Sequence, residues 1–184
     1  MAKGHSGLFE GTKGDRVYRG ISPSELKNKA FDYAEEISKN GTREEKDNLN
    51  TVTVAYDEEN DKYYYGMNKG IKLHNSPKND ILFGSETHDG IIPKTSLNDF
   101  PVGNCSEVDA VNNALNGGAK LENLHLTTLD VKRKNIRSHS KIGKCSCENC
   151  TAAFKGRVKK NNTGWKDWFI WIKKILKIYR WMVD

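Results

Sequence analysis

Asn104-Cys-Ser-Glu-Val-Asp-Ala-Val-Asn-Asn-Ala-Leu-Asn-Gly-Gly118 and, further on, Cys145-Ser-Cys-Glu-Asn-Cys150 are the two stretches on which the reading of this chain turns. In the first, Val108, Val111, Ala114 and Leu115 recur at helical spacing and Gly117-Gly118 ends the run, which predicts a helix whose start carries Cys105 and Glu107. In the second, Cys147 and Cys150 stand three residues apart, on one face at the start of a short helix expected from near Cys147 to about Phe154. Those two thiolates and a third at Cys105 can reach one Zn²⁺, and each helix N-terminus favours the deprotonated sulfur. Three protein ligands leave the fourth tetrahedral position open, which marks a catalytic rather than a structural zinc. Glu107 is not needed as a ligand. Beside a metal-bound water, its carboxylate can take a proton and hand it to a leaving amine.

Each residue also has a plainer reading. Asn104-x-x-Glu107 fits an N-cap with a reciprocating glutamate. Cys105 alone suits a buried small apolar residue. Cys147 and Cys150 alone suit half of a zinc knuckle or a redox pair. All four cysteines, Cys145 included, could form a closed structural site, which would leave Glu107 without a chemical task. The conjunction of Cys105, Glu107 and the Cys147/Cys150 pair favours catalysis. The five histidines are scattered, none at ligand spacing to the cysteines, and none is assigned a role.

Outward from these stretches, the 184 residues suit one domain, taken as residues 21–184 behind a Gly-rich leader or linker over 1–20. All four cysteines lie between Cys105 and Cys150, a clustering that favours a metal site over a disulfide framework. No apolar run reaches the roughly 18 residues of a spanning helix. Residues 1–100 carry 14 basic and 17 acidic side chains, net −3, and residues 101–184 carry 16 and 7, net +9. The basic half suits a polyanionic partner, nucleic acid or an anionic membrane surface, or simply a solvated face.

Ser22 as N-cap, Pro23 at the first position and Glu25 three residues on predict a helix with Leu26, Ala30, Phe31, Ala34 and Ile37 as its stripe and Asn40-Gly41 as its stop. A hairpin follows, Thr51–Tyr56 and Lys62–Asn68, around an acidic turn. Residues 69–104 show no periodic pattern. A Thr-rich strand is expected within Leu121–Val131, and residues 132–144 hold Lys132, Arg133, Lys134, Arg137, Lys141 and Lys144 without an acid. This basic stretch lies next to the cysteine pair, where its cations could hold phosphates, although a solvated loop is the simpler reading. Trp165–Val183 reads as an amphipathic helix that either covers the sheet, the favoured reading, or lies on a membrane interface. The interleaved order of helices and strands predicts α/β layering.

The Asn104–Ala119 segment, followed by a strand and Cys147-Glu-Asn-Cys150, resembles the bacterial polymorphic-toxin deaminases of the zinc-dependent cytidine deaminase-like superfamily, above all the YwqJ-like family. Tyr63-Tyr-Tyr-Gly-Met-Asn68 and the Gly-Leu-Phe-Glu-Gly-Thr-Lys-Gly14 leader are similar to that group as well. The resemblance covers roughly residues 22–157, with Ser146 where the superfamily usually has proline. It implies a three-layer α/β/α fold with a mixed sheet and a zinc site at the N-termini of two helices. It also implies hydrolytic deamination of a nucleobase, most naturally cytosine in nucleic acid with DNA favoured, through zinc-bound hydroxide attack at C4 with Glu107 as proton shuttle. Cys105, Cys147 and Cys150 would be the metal ligands. Asn68, Ser106 and Ser146 would bind substrate, and Lys132, Arg133, Lys134 and Arg137 would contact nucleic acid. Asn68 can also be read as an ordinary turn residue. The implied partner is a cognate immunity protein. The implied setting is a secreted or delivered monomeric effector, without stable membrane insertion, acting in the target-cell cytoplasm. The alternatives are a non-catalytic nucleic-acid-binding module with structural zinc, a membrane-active toxin driven by residues 165–183, or a deaminase of free nucleotides or of adenine.

Overall fold

The computed structural model describes residues 21–131 and 143–166. The leader over 1–20, the basic residues Lys132, Arg133, Lys134 and Arg137, and the tail beyond Lys166 lie outside the described residues. The elements run α1 (Pro23–Asn40), α2 (Arg43–Asn48), β1 (Thr51–Asp57), β2 (Lys62–Met67), α3 (Gly70–Leu73), α4 (Asp80–Phe83), α5 (Ser106–Asn116), β3 (Leu124–Asp130), α6 (Glu148–Phe154) and β4 (Lys160–Asn161).

The four strands form one mixed sheet in the order β2-β1-β3-β4. β1 runs antiparallel to both neighbours, with Val52 opposite Met67 on one side and Leu129 on the other, whereas β3 and β4 are parallel. Strand alternation sends successive side chains to opposite faces. Val52, Val54, Tyr56, Met67 and Leu129 join Leu26, Ala30, Ala34 and Ile37 of α1 in one core. Ala55, Leu124 and Leu126 join Val108, Val111, Ala114 and Leu115 of α5, with Cys150, Ala153 and Phe154 of α6, in the other. Helices therefore cover both faces of the sheet, the α/β layering the sequence predicts. No helix among the described residues is long and apolar enough to cross a membrane.

Several expectations need adjustment. Ser22 accepts a hydrogen bond from the Glu25 N–H, as an N-cap should, but the Glu25 side chain meets the Tyr63 hydroxyl instead of closing the box. The reciprocal box sits at Thr42 and Glu45, at the start of the wholly polar α2. Residues 69–104 contain two single-turn helices, α3 and α4. Trp165, expected to open the last helix, instead pairs with Ser146 as an isolated parallel bridge.

One glycine sets how closely α5 approaches the sheet. A Cβ on Gly66 would strike the Ala110 N–H and the Ser106 carbonyl, so only glycine lets the α5 backbone lie directly on β2. Two α5 side chains then stitch that edge strand. The Asp109 Oδ2 accepts the Met67 N–H at 2.9 Å, and the Asn113 amide donates to the Tyr65 carbonyl at 2.9 Å. The start of α5 is thereby fixed against the end of β2, where the candidate site lies.

Candidate metal centre

Cys105 is the N-cap of α5 and Cys147 the N-cap of α6. Both have extended backbone dihedrals. Cys150 follows one turn later on α6 and is fully buried. The three Sγ atoms lie within 4.8 Å of one another, with Cys105 and Cys147 at 3.4 Å. Thiolates at ~2.3 Å from one tetrahedral ion stand about 3.8 Å apart, so this spacing suits a single ion. The donor set is three sulfurs, which fits a soft or borderline divalent metal. Cys145 is exposed and is not a member of the cluster, so among the described residues the four-cysteine arrangement is not assembled.

The close approach of the three sulfurs couples their protonation. Hydrogen bonds from Cys105 and Cys150, reinforced by the Cys150 and Asn149 backbone N–H groups, hold the Cys147 thiol far below its ordinary value. The same sharing pushes Cys105 and Cys150 up. Without a metal, one thiolate is held by two thiols and by the amides of a helix N-terminus.

Glu107 is the second residue of α5, 5% exposed, and it faces the cavity that Cys105 and Cys147 also line. Burial raises its pKa to about 7, and the Cys147 charge adds to this; its own backbone N–H, the Ser146 hydroxyl and Lys144 oppose. A reciprocal cap between Asn104 and Glu107 does not form. The helix starts one residue later than that motif requires, and the Asn104 carbonyl instead accepts the Lys69 N–H at 3.0 Å. Glu107 is thus a buried carboxyl beside a sulfur cluster with no capping task.

The cavity measures about 660 Å³. Asn68 lines it, with its carbonyl oxygen held by the Thr51 N–H at 2.6 Å and the Thr51 hydroxyl at 2.7 Å. That fixes the amide and leaves its NH₂ without an acceptor among the described residues. Ser106 and Ser146 are placed otherwise. Ser106 is buried between helix and sheet, in a hydroxyl ladder with Thr51 and Thr53, and Thr53 continues to Thr128. Ser146 is buried under β4, accepting from the Asn161 amide at 2.9 Å. Neither is on the cavity lining, but both reach the Glu107 carboxyl: the Ser106 hydroxyl donates to its Oε2 at 3.4 Å, and the Ser146 hydroxyl bonds it as well.

Sequence reasoning missed Lys69, Phe100, Asn104 and Lys166, which complete the cavity wall with Lys144. Three lysines ring the pocket and can meet an anionic ligand, although Lys144 and Lys166 already lie 3.8 Å from the Asp130 and Glu148 carboxylates. Lys69 offered one sign: it follows the aromatic strand directly, and its backbone is left-handed at φ 60°. The loop residue Phe100 carried no periodic signal.

No family model, curated protein or solved structure matches the chain.

Proposed function

We propose that this protein is a zinc-dependent deaminase that hydrolyses the exocyclic amino group of a nucleobase, cytosine in nucleic acid with DNA favoured, as the effector module of a bacterial toxin paired with an immunity protein. The observation that carries the reading is the assembly of three cysteine sulfurs from two helix starts with one buried carboxyl in a single cavity. A closed structural site uses four protein ligands and has no use for a buried carboxyl at its side. A zinc ion held by Cys105, Cys147 and Cys150 would supply a Lewis acid and an activated water at one point.

Glu107 then carries the proton work. Held protonatable near neutrality by burial, it takes a proton from the attacking water and returns it to the departing amino group, so that water adds at C4, the C4–N4 bond breaks, and ammonia and the uracil carbonyl result. The Asn68 NH₂, fixed through Thr51, presents a donor toward the base edge. Lys69, Lys144 and Lys166 suit the phosphates of the substrate.

The test is turnover by zinc-loaded protein on single-stranded DNA, duplex DNA, RNA, free cytidine and adenosine nucleotides, read as ammonia and by product chromatography. Glu107→Gln keeps shape and side-chain hydrogen-bonding capacity but cannot shuttle the proton. Activity should fall by about 10²–10⁴ with zinc content and melting behaviour unchanged. An active Glu107→Gln protein rejects the mechanism. A zinc-loaded wild type that binds DNA and releases no ammonia from any of these compounds points to the non-catalytic binding module instead.

A further inference from the structure

Phe100 lines the cavity that also holds Asn104, Cys105 and Glu107, yet it is 64% exposed, more than Ile81 or Leu97. Single exposed apolar residues are common on protein surfaces. This one is different in how firmly it is held. The Phe100 N–H donates to the Asn98 Oδ1 at 2.9 Å, and its carbonyl accepts the Ser96 hydroxyl at 2.6 Å. Pro101 follows it and restricts its backbone to extended conformations. The turn is in turn pinned to the metal helix. The amide of Asn149, only 3% exposed and lying between Cys147 and Cys150, donates to the Ser96 Oγ at 3.0 Å and the Asn98 Oδ1 at 3.2 Å, while its carbonyl accepts the Leu97 N–H at 2.8 Å. The Asn98 amide also reaches the Glu148 carboxylate at 2.9 Å. The backbone that carries this exposed ring is thus tied, through exposed and part-buried hydrogen bonds, to the helix that supplies two of the three sulfurs.

We infer that Phe100 is the stacking surface for the planar ring of a nucleobase in this cavity, and that Asn98 and Asn149 are positioning residues that fix the ring relative to the sulfur cluster. The inference rests on the reading of the cavity as a base site. An aromatic face offers affinity to any base through its π surface, independent of hydrogen-bond readout. A nucleobase accompanied by phosphate matches the other wall residues, Lys69, Lys144 and Lys166. The base can arrive on a free nucleotide or on a strand, and both supply the same ring and phosphate.

The experiment uses the full zinc-loaded chain in a Glu107→Gln background, so that a bound base is not consumed. The probes are cytidine 5′-monophosphate, a single-stranded oligonucleotide with one cytosine, and the same oligonucleotide with an abasic position there. Phe100→Ala and Phe100→Leu should weaken binding of the base-bearing probes roughly ten-fold, whereas Phe100→Tyr should stay within about two-fold of the parent. The abasic probe should not distinguish the variants. Binding of the oligonucleotide but not the monophosphate assigns the ring to a strand, and the reverse to a free nucleotide. For positioning, Asn98→Ala should weaken base-bearing probes as well, and should add nothing in a Phe100→Ala background. A Phe100→Leu protein that binds like the parent overturns the inference, as does equal loss on the abasic probe or the lack of any base-dependent binding. If base-dependent binding follows Phe100 while the otherwise wild-type chain releases no ammonia, the proposed reaction fails and the stacking surface stands. If the chain deaminates and Phe100→Ala changes nothing, the reverse holds.

Discussion

Asp109→Asn makes a quantitative test of how α5 is held in place. Asp109 is 1% exposed; its Oδ2 accepts the Met67 N–H, and its Oδ1 has no hydrogen-bond partner among the described residues. Burial raises its pKa from 3.8 to about 6, with the Met67 N–H and His74 opposing. The Tyr33 hydroxyl also feels the Asp109 charge, while His74 is paired with Glu45 at 2.9 Å. A carboxyl whose folded pKa lies above its unfolded one stabilises the fold in its protonated form. Its contribution is complete below about pH 4 and is lost as pH rises through about 6. A rise of that size corresponds to about 3 kcal/mol in all, of which about half falls between pH 5 and pH 8. Asparagine keeps an acceptor for the Met67 N–H and does not titrate. The difference in stability between wild type and Asp109→Asn should therefore shift by about 1.5 kcal/mol in favour of the variant from pH 5 to pH 8. Urea unfolding followed by circular dichroism at each pH, with excess zinc in both samples, measures it, since every titration the two proteins share cancels in the difference. Parallel stability curves would refute the reasoning and mean that Asp109 is ionised in the fold at pH 5.

Three further outcomes concern the metal and the basic stretch. Cys147→Ser and Cys150→Ser should abolish stoichiometric zinc binding, whereas Cys145→Ser should retain one ion per chain, because Cys145 is exposed and outside the sulfur cluster; metal analysis after dialysis decides it. Chelating the zinc should lower the melting temperature of the wild type and of Cys145→Ser but leave that of Cys147→Ser unmoved, since an ion on Cys105, Cys147 and Cys150 would join the starts of α5 and α6. Replacing Lys132, Arg133, Lys134 and Arg137 with alanine should weaken nucleic-acid binding and flatten its dependence on salt by about one counterion per lost phosphate contact, read by a salt titration.

The parts of the fold legible in the sequence are those where burial imposes a period. α1 announced itself through Leu26, Ala30, Ala34 and Ile37, all buried, and α5 through Val108, Val111, Ala114 and Leu115. The central hairpin was legible because β1 is buried along its whole length, so that β-branched and aromatic residues fill Thr51–Tyr56 but for Ala55. α2 escaped because none of its residues is buried and its only signal is the Thr42–Glu45 box. β4 escaped because two residues carry no period. In the site, the clustering of the cysteines was legible because two sulfurs brought together from one helix start must follow helical spacing. The carboxyl two residues on was ambiguous, since capping uses the same residue types as catalysis; only the position of the helix start, at Ser106 with Cys105 as cap, separates the two. Ser106 and Ser146 sit within one residue of ligands, which made them natural choices for the cavity wall. Both hydroxyls are buried, off the cavity lining but against the Glu107 carboxyl.

The residues that escaped sequence reading share a physical cause. Lys69, Phe100, Asn104 and Lys166 reach the cavity from connections, where position is set by hydrogen bonds between distant backbone and side-chain groups. Asn149 shows the consequence most clearly. In sequence it is a spacer between Cys147 and Cys150, replaceable by anything a helix tolerates. In the fold it is buried, holds the 96–100 turn through both ends of its amide, and lies in the same helical turn as the sulfurs. The interval between the two cysteines thus serves two purposes: its length brings Cys147 and Cys150 together, and its content fixes the turn that carries Phe100 to the cavity. A metal-ligand spacing read only as a count of intervening residues recovers the first purpose and misses the second.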